Sequence, residues 1–306
     1  MILSGGVGGA KLVDGFARLD AGLDVVVIGN VGDDIEQHGC WVSPDMDIVT
    51  YTLAGIVDAE KGWGIRGDTF QAMDALRQLG EDAWMNLGDR DLATHLYRTE
   101  RRRAGDRPTE IAQALARRLG VTRVRVLPPT DDDLQTMVET DDGTMSFQSY
   151  YLRARCGPEP RRIWYAGAEQ ARVTPEVQAA LKAADLIVVA PSNPLASIGP
   201  ILAVASLRAT LQDSDALRVA VSPLVGGRSL KGPSDRMLRA HGFAADAGGV
   251  AHYYQGLMDA LMIDTQDRSC ADTIRAHGIE PWVAETVMQT PADRVSLANT
   301  LLERAR

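Results

Sequence analysis

The stretch Met1–Gly15, MILSGGVGGAKLVDG, joins a short apolar strand, four glycines within five residues and the first turns of a helix. A glycine-rich turn between a strand and a helix is typical of a phosphate site, because glycine lets the backbone approach the anion and the helix start points N–H groups at it. The turn matches neither common motif. A P-loop has Ser or Thr after its lysine, but Leu12 follows Lys11, and a dinucleotide fingerprint anchored on Gly6 and Gly8 requires glycine where Lys11 stands. The pattern predicts an α/β fold with an anion site outside both classes.

The rest of the chain alternates short Val- and Ile-rich strands with amphipathic helices. This alternation is typical of a mostly parallel sheet covered on both faces, so we predict a doubly wound, Rossmann-like α/β fold. The predicted strands after the first are Asp24–Gly29, Val124–Leu127, Leu186–Ala190, Leu217–Ser222, Leu261–Asp264 and Trp282–Val287. The predicted helices are Thr69–Leu79, Asp91–Arg103, Thr109–Leu119, Pro175–Ala184, Gly199–Leu211 and a last helix from Ala292.

Residues 129–167 have a different pattern, with TMVET, an Asp-Asp-Gly turn and the runs TMSFQSYYLRA and RRIWYAG. Strand-like runs on either side of such a turn are typical of hairpins, and we predict a small β-rich insertion over 129–167. No linker, repeat or low-complexity segment divides the sequence. We therefore interpret residues 1–306 as a single α/β domain.

Composition limits the classes of function. The net charge of -9 argues against a nucleic-acid binder, which normally has a basic face. The three cysteines lack CxxC spacing, which is typical of reduced thiols rather than of a disulfide framework or a zinc site. No apolar run approaches the about 20 residues that cross a bilayer. We expect a cytoplasmic protein that acts on small molecules and binds neither nucleic acid nor a membrane.

The candidate phosphate-binding residues lie in two loops that each follow a predicted strand. Ligands of doubly wound sheets bind outside the carboxyl ends of the strands, so the opening loop and PSNPLASIGP together favour a phosphate-bearing ligand over a tight turn and an ordinary helix cap. Lys11 is either a charge for the anion or a solvated helix residue, and Lys231–Pro233 offers a further contact. The residues predicted to bind phosphate are Gly5, Gly6, Gly8, Gly9, Lys11, Ser192 and Asn193.

Four carboxylates fall within fifteen positions after the second predicted strand. Asp45 and Asp47 stand at a predicted helix start, and Asp33 and Asp34 lie upstream in a glycine-flanked loop. Helix capping accounts for one of these residues. Because Mg²⁺ binds through one or two carboxylates together with phosphate oxygens, we predict a magnesium site formed by Asp45 with Asp33 or Asp34.

A second polar stretch, NLGDRDLATHLYR, carries charged residues at helical spacing. Asp91, His95 and Arg98 share a helix face, and a surface ion-pair network explains them as well as a ligand site does. Trp84 precedes this stretch, and its ring is interpreted either as core packing or as the wall of a pocket for an aromatic ligand.

These motifs, taken in order, resemble one family closely: the 2-phospho-L-lactate transferases, which make the deazaflavin coenzyme F-420. The resemblance spans Met1 to about Tyr254. Two departures occur: Pro129 stands where methionine is expected, and the segment 29–39 varies within the family. The motifs that carry it are SGGVGGAKLVDG, SPDMDIVTYTLAG, WGIRGDTF, LGDRDLATHLYR, LPPTDD, PSNPLASIGPIL, SPLVGG with KGP, and GVAHYYQGL.

The resemblance implies a magnesium-dependent transferase of substituted phosphate groups. The donor is a guanosine diphosphate that carries lactyl, enolpyruvyl or glyceryl acid on its terminal phosphate, and the acceptor is the terminal ribityl hydroxyl of the deazaflavin FO. The products are F-420-0, or its analogue, and GMP. By the same resemblance Asp45 acts as base or metal ligand, and Asp45, Trp84, Asn86 and Arg90 contact the deazaflavin. A homodimer is the expected state.

Two other classes of function remain open on the sequence. A related branch of the same superfamily binds a nucleotide sugar and regulates metabolism without catalysis. Its glycine loop and PSNP-type segment are shared, whereas SPDMD and LGDRDLATH favour the transferase. A nicotinamide-dependent oxidoreductase is disfavoured because the third glycine is missing and Asn30 stands where an acidic residue would bind ribose.

Overall fold

A computed structural model describes residues 1–19 and 22–306 of the chain. Most strands are short and apolar, and β1, β2 and β13 of the main sheet are buried along their whole length. In chain order the strands are β1 (Ile2–Ser4), β2 (Val25–Gly29), β3 (Ile35–Gln37), β4 (Cys40–Val42), β5 (Val124–Leu127), β6 (Gln135–Thr140), β7 (Gly143–Ser146), β8 (Arg162–Ala166), β9 (Leu186–Val189), β10 (Leu217–Val221), β11 (Leu224–Val225), β12 (Arg228–Ser229), β13 (Ala260–Asp264) and β14 (Glu280–Ala284).

The helices begin where the sequence offers a start signal. Proline stands in the first turn of several of them, where its missing N–H costs nothing. In chain order the helices are α1 (Gly6–Arg18), α2 (Pro44–Leu53), α3 (Gln71–Gln78), α4 (Asp91–Arg103), α5 (Pro108–Arg118), α6 (Pro175–Lys182), α7 (Gly199–Ala203), α8 (Leu207–Gln212), α9 (Ser234–Ala240), α10 (Ala247–Tyr254), α11 (Ala271–Ala276) and α12 (Pro291–Arg304).

Within the described residues, seven strands form one sheet in the order β14-β13-β10-β9-β1-β2-β5, and all neighbours are parallel. The chain builds outward from β1 to β2 and β5, then crosses to β9 and builds outward on the other side. The order therefore reverses between β1 and β9, which are adjacent. This arrangement confirms the predicted doubly wound α/β fold and locates the crevice in which such sheets bind ligands.

The segment predicted as an insertion folds as a small antiparallel sheet in the order β7-β6-β8. The Asp-Asp-Gly turn joins β6 to β7 as expected. One part of the prediction is wrong: the run after β7 does not continue as a strand, because Ser149–Arg153 forms a π-helical turn whose Tyr150 is fully buried.

The predicted helix Gly199–Leu211 is also wrong as one element. It is divided into α7 and α8 at Ser206, whose positive φ of 66° no continuous helix permits. The last predicted strand begins two residues earlier than expected, at Glu280. Among the described residues, no helix combines the length and the apolar character that a membrane span requires.

A second, smaller apolar cluster lies apart from the main core and supports the α3 region. It is formed by Val42, Met73, Ala83, Met85 and Leu87, and the half-buried rings of Phe70 and Trp84 pack against it. The segment between α2 and α4 is therefore folded on its own apolar centre, beside the sheet.

Candidate active site

The turn between β1 and α1 is glycine-rich because its backbone packs against the chain on three sides. A Cβ on Gly8 would lie 2.4 Å from the Pro191 carbonyl oxygen, and one on Gly9 would lie 2.3 Å from Ser4 Oγ. A Cβ on Gly5 would lie 2.5 Å from Asp45 Oδ2. Any side chain at these positions would push α1 away from the β9 loop and from α2. The glycines thus bring the start of α1 into the crevice at the switch point.

The loop after β9 is joined directly to the glycine turn. Ser192 Oγ donates to the Gly5 carbonyl at 2.7 Å and accepts the Gly5 N–H at 3.1 Å, and the side chain is buried. Asn193 caps the turn that follows, since its Oδ1 accepts the N–H groups of Leu195 and Ala196. The structure therefore brings Ser192 to the crevice and uses the side-chain oxygen of Asn193 for capping.

Lys11 lies one turn into α1 and is bonded to the carboxyl-terminal segment. Its Nζ donates to the Met288 carbonyl at 2.9 Å, in the connection between β14 and α12. Burial lowers the pKa of Lys11, and the positive charges of Arg294 and Lys231 lower it further. The ammonium is thus engaged with the carboxyl-terminal segment.

Asp45 is the carboxylate that closes the crevice. It lies in the first turn of α2, is 8% exposed, and accepts a hydrogen bond from Asn30 Nδ2 at 2.9 Å and another from the Gly6 N–H. Burial raises the pKa of Asp45 to about 6, and these two hydrogen bonds oppose the rise. A carboxylate with a pKa near neutrality, held against a helix N-terminus, is suited to accept a proton.

Asn30 connects the segments around Asp45, and it was not among the residues predicted to take part in transfer. It follows β2, is fully buried, and its Oδ1 accepts the Gly32 N–H at 2.7 Å. Its Nδ2 also donates to the Ala196 carbonyl at 3.3 Å. The amide thereby joins α2, the loop after β2 and the loop after β9. The sequence signal that could have identified Asn30 as a site residue is its position directly after a buried strand.

Asp33 faces the same crevice. It is 4% exposed, and its Oδ1 has no hydrogen-bond partner among the described residues. Burial raises the pKa of Asp33 well above its usual range, and the negative charges of Asp45 and Asp34 raise it further. The structure therefore brings two predicted metal ligands into electrostatic contact at the switch point.

The Asp34 side chain is directed toward Trp41 and Ser43. Its Oδ2 accepts hydrogen bonds from Trp41 Nε1 at 3.0 Å and from Ser43 Oγ at 2.6 Å. Burial raises the pKa of Asp34 to about 7, and the two hydrogen bonds oppose the rise. Its second oxygen is buried without a hydrogen-bond partner among the described residues, and Asp34 lines a cavity of about 40 Å³ together with Asp47, Arg98 and Arg102.

The carboxylates fit a divalent cation that also binds a phosphate. Over residues 1–19 and 22–306, no three His, Cys, Asp or Glu side chains converge as a ready-made metal site. Mg²⁺ needs only one or two carboxylates when phosphate oxygens and water complete its shell. The free oxygen of Asp33 beside Asp45 meets this requirement, because a cation would relieve the repulsion between the two buried groups.

The charged face of α4 is buried, so the surface ion-pair network, one of the two interpretations of this face, is wrong. Arg98 donates to Asp47 Oδ1, and its Nη1 lies 3.2 Å from His95 Nδ1. His95 Nε2 lies 3.4 Å from Asp91 Oδ1 on the other side of the ring. Tyr51 donates to the same Asp91 oxygen at 2.5 Å. The network ties α4 to α2, the helix that carries Asp45.

The residues predicted to contact the deazaflavin lie on the connection into α4. Trp84 is half-buried against the smaller apolar cluster, Asn86 is exposed and accepts from Arg77 at 2.6 Å, and Arg90 is exposed and donates to the Arg66 carbonyl at 3.1 Å. The nearby carboxylates Asp68 and Asp89 cap α4 and α3 through backbone N–H groups.

The carboxylates of Asp131–Asp133 bind other segments of the chain. Asp131 Oδ1 accepts the N–H and the hydroxyl of Thr109 at 2.7 Å each, at the start of α5. Asp132 accepts the Arg172 N–H at 2.8 Å, and Asp133 pairs with Arg102. Asp131 therefore caps α5, and the other two carboxylates bind neighbouring segments of the chain.

Comparisons with known proteins identify the family of the chain. The model of the family described as "2-phospho-L-lactate transferase CofD" matches residues 1–301. A phosphoenolpyruvate transferase of Streptomyces griseus is 39% identical, with 100% of this chain and 98% of that protein covered. A 2-phospho-L-lactate transferase of Methanopyrus kandleri is 38% identical, with 98% and 96% covered.

Solved structures share the fold. A crystal structure of a Bacillus halodurans protein, described as a member of the UPF0052 family, superposes with a TM-score of 0.66 at 15% identity and covers 98% of this chain and 97% of its own. Both the family model and these two relatives match nearly the full length of the chain. The chain belongs to the 2-phospho-L-lactate transferase family, and it is a transferase.

Proposed function

We propose that this enzyme transfers a phospho-three-carbon-acid group from a guanosine-diphosphate-linked donor to the terminal ribityl hydroxyl of FO, forming F-420-0 or its analogue and GMP. The observation that carries the proposal is the position of Asp45. It is a buried carboxylate with a pKa of about 6, set against the start of α1 where the strand order reverses. A transfer of this kind needs a proton acceptor beside a phosphate site more than it needs a covalent nucleophile.

In the proposed reaction, the ribityl oxygen attacks the phosphorus that carries the three-carbon acid. A new P–O bond forms, the bridging P–O bond to the guanosine side breaks, and GMP leaves with the electron pair of that bond. The hydroxyl proton passes to Asp45. Ser192, bonded to the Gly5 backbone, fixes the glycine turn that would hold the diphosphate at the start of α1. Asn30 orients the Asp45 carboxylate through its side-chain hydrogen bond.

Asp45 and Asp33 would hold Mg²⁺ together with the donor. The bound cation would neutralise the diphosphate charge and make GMP a better leaving group. The free buried oxygen of Asp33 supports this assignment.

The donor acid is the open part of the proposal. Relatives of nearly equal identity are named for phosphoenolpyruvate and for 2-phospho-L-lactate, so both acids are candidates, and the glyceryl analogue is a third. We place FO on the side of Trp84, Asn86 and Arg90, which the resemblance supports. A cytoplasmic homodimer belongs to the same proposal.

Mass spectrometry of the reaction mixture tests the proposal. Purified enzyme is incubated with FO, magnesium and each of the three guanosine-diphosphate donors in separate tubes. GMP, together with a deazaflavin heavier by one phospho-acid, establishes the transfer and names the donor. No product from any donor, combined with tight binding of a uridine diphosphate sugar, would instead identify a nucleotide-sugar-binding regulator. Sedimentation of the same sample measures the oligomeric state.

A further inference from the structure

Lysine is scarce in this chain and concentrated at one place. There are four lysines, and three of them, Lys11, Lys61 and Lys231, lie around the first turns of α1, whereas Lys182 ends α6. Arginine supplies the rest of the positive charge. Because Lys11 is bound to the Met288 carbonyl, the environment of Lys231 decides which ammonium is available to a ligand.

Lys231 is carried by a loop that is closed at both ends. The hairpin of β11 and β12 follows β10, and the N–H groups of Gly226 and Gly227 at its tip donate to the buried carboxylate of Asp267. Ser229 and Asp235 then bond each other, with the Asp235 N–H donating to Ser229 Oγ at 3.0 Å. These contacts hold the Lys231 loop at the carboxyl end of the sheet.

The Lys231 side chain reaches across to the start of α1. Its Nζ donates to the Lys61 carbonyl at 3.3 Å, in the loop between α2 and α3. The same Nζ lies 3.1 Å from the place where a Cβ on Gly62 would stand, and that place is 3.5 Å from Val7 Cγ1 in the first turn of α1. Two loops therefore meet over the helix N-terminus, with the ammonium between them.

Within residues 1–19 and 22–306, no carboxylate forms an ion pair with Lys231. Among the ion pairs of the described residues, Lys61 pairs with Asp58, whereas neither Lys231 nor Lys11 has a carboxylate partner. Burial lowers the pKa of Lys231, and the charge of Lys231 contributes to the lowered pKa of Lys11. Two ammonium groups that repel each other beside a helix N-terminus form a site that an anion would stabilise.

We propose that Lys231, and not Lys11, is the lysine that binds the diphosphate of a nucleoside diphosphate at the start of α1. When the ligand binds, Lys231 Nζ exchanges its long bond to the Lys61 carbonyl for phosphate oxygens, while Lys11 stays on Met288. The loop that carries Lys231 thereby closes over the nucleotide. This inference rests on the proposed function, since it names the residue that holds the donor.

Calorimetric titration of GDP into the full-length protein, with magnesium and without acceptor, tests the inference. K231M removes the ammonium and should raise the Kd for GDP roughly 10- to 100-fold, which is the loss expected for a hydrogen bond to a charged group. K231R, which keeps the charge, should restore most of the affinity. The matched control K182M changes the exposed lysine at the end of α6, before the amino end of β9, and should leave the Kd within about threefold.

K11M separates the two lysines. It should lower the melting temperature, because Met288 loses its donor, and leave the Kd for GDP within about threefold. Equal affinity of K231M and the wild type overturns the inference, and so does a loss in K11M as large as that in K231M. If the wild type binds GDP but forms no product with any donor, the proposed function fails and the role of Lys231 stands. If the wild type binds no GDP, both fail.

Discussion

Asp45 shows how a single residue acquires its chemistry from its surroundings. An aspartate in the first turn of a helix is ordinarily a solvated cap. Here the absence of a side chain at Gly5 lets the α1 start approach within contact distance of the carboxylate, and burial follows. The raised pKa is a result of that burial, and Asn30 keeps the group oriented.

Asp45→Asn should remove most of the turnover while leaving the fold intact. The amide oxygen still accepts from Asn30, but it cannot take a proton, so kcat/KM should fall by about 10²- to 10⁴-fold. The measurement is steady-state formation of GMP at saturating magnesium, with a thermal melt of the same sample. Asp24→Asn, at an exposed carboxylate paired with Arg125, serves as the control. Near-wild-type turnover of Asp45→Asn would refute the role.

Asp34 provides a test of pH dependence. Burial holds its folded pKa at about 7, above the ordinary value of 3.8, so its contribution to stability is complete below about pH 4 and is lost as the pH rises through 7. Asp34→Asn removes that loss and keeps an oxygen for Trp41 and Ser43. We expect the variant to melt roughly 2–5 °C above the wild type at pH 8 and to converge with it near pH 4.

Asp89→Asn is the control with the opposite sign. Hydrogen bonds from Thr69 and from backbone N–H groups lower the pKa of Asp89, so its stabilisation is present above about pH 4 and is lost as the pH falls below it. Its variant should therefore be less stable than the wild type at pH 8. A melting-temperature difference for Asp34→Asn that is constant between pH 4 and 8 would contradict the assigned burial of its charge.

At the scale of elements, α2 and α4 are joined by a buried polar network. The helix that carries Asp45 is amphipathic only weakly and has Thr, Tyr and Asp among its buried residues. Arg98 and Tyr51 satisfy groups on both helices, so the position of α2 depends on charge pairing as well as on apolar packing. Removing one partner of a buried ion pair is strongly destabilising, because the other charge is left buried without compensation.

Arg98→Met should destabilise the protein by about 3–5 kcal/mol, because it leaves the buried carboxylate of Asp47 without its counter-ion. The free energy of unfolding is measured by urea titration. Arg101→Met lies on the same helix and breaks only an exposed pair with Asp106, for which at most about 1 kcal/mol is expected. Equal losses in the two variants would show that the network contributes no more than a surface ion pair.

At the scale of the whole molecule, the order of the strands decides where ligands bind. The reversal between β1 and β9 leaves the loops after β1, β2 and β9 around one crevice, although they are up to about 190 positions apart. The loops after α2 and β10 close it from above through Lys61 and Lys231. A ligand in this crevice would contact segments from both halves of the sheet and link them.

Nucleotide binding should therefore stabilise the whole fold. GDP at 100 times its Kd should raise the free energy of unfolding by about 2.7 kcal/mol, since it binds the native state alone. A thermal-shift series with GDP, a uridine diphosphate sugar and NAD, each with magnesium, makes the comparison. A shift with the uridine diphosphate sugar and none with GDP would favour the regulator, and a shift with NAD alone would favour the oxidoreductase.

Local patterns in the sequence were sufficient for the fold class. The strand Leu217–Ser222 and the helix Asp91–Arg103 are confirmed to within one residue, because periodicity and start signals act over one or two turns. The motifs, taken in order, were sufficient to identify the family to which the chain belongs. The helix break at Ser206 was not predicted, because an apolar helical pattern contains no local signal for a residue in the left-handed conformation.

The sequence by itself thus determined the alternation of strands and helices, the glycine turn after β1 and the transferase family, because each depends on patterns of residues that are close together in the chain. Only the tertiary structure decided which groups meet. It joined Asn30 to Asp45, turned Asp34 toward Trp41, buried Arg98 and placed Lys231 over α1. The physical reason is that burial and charge pairing arise between segments far apart in the chain, and no local pattern contains those distances.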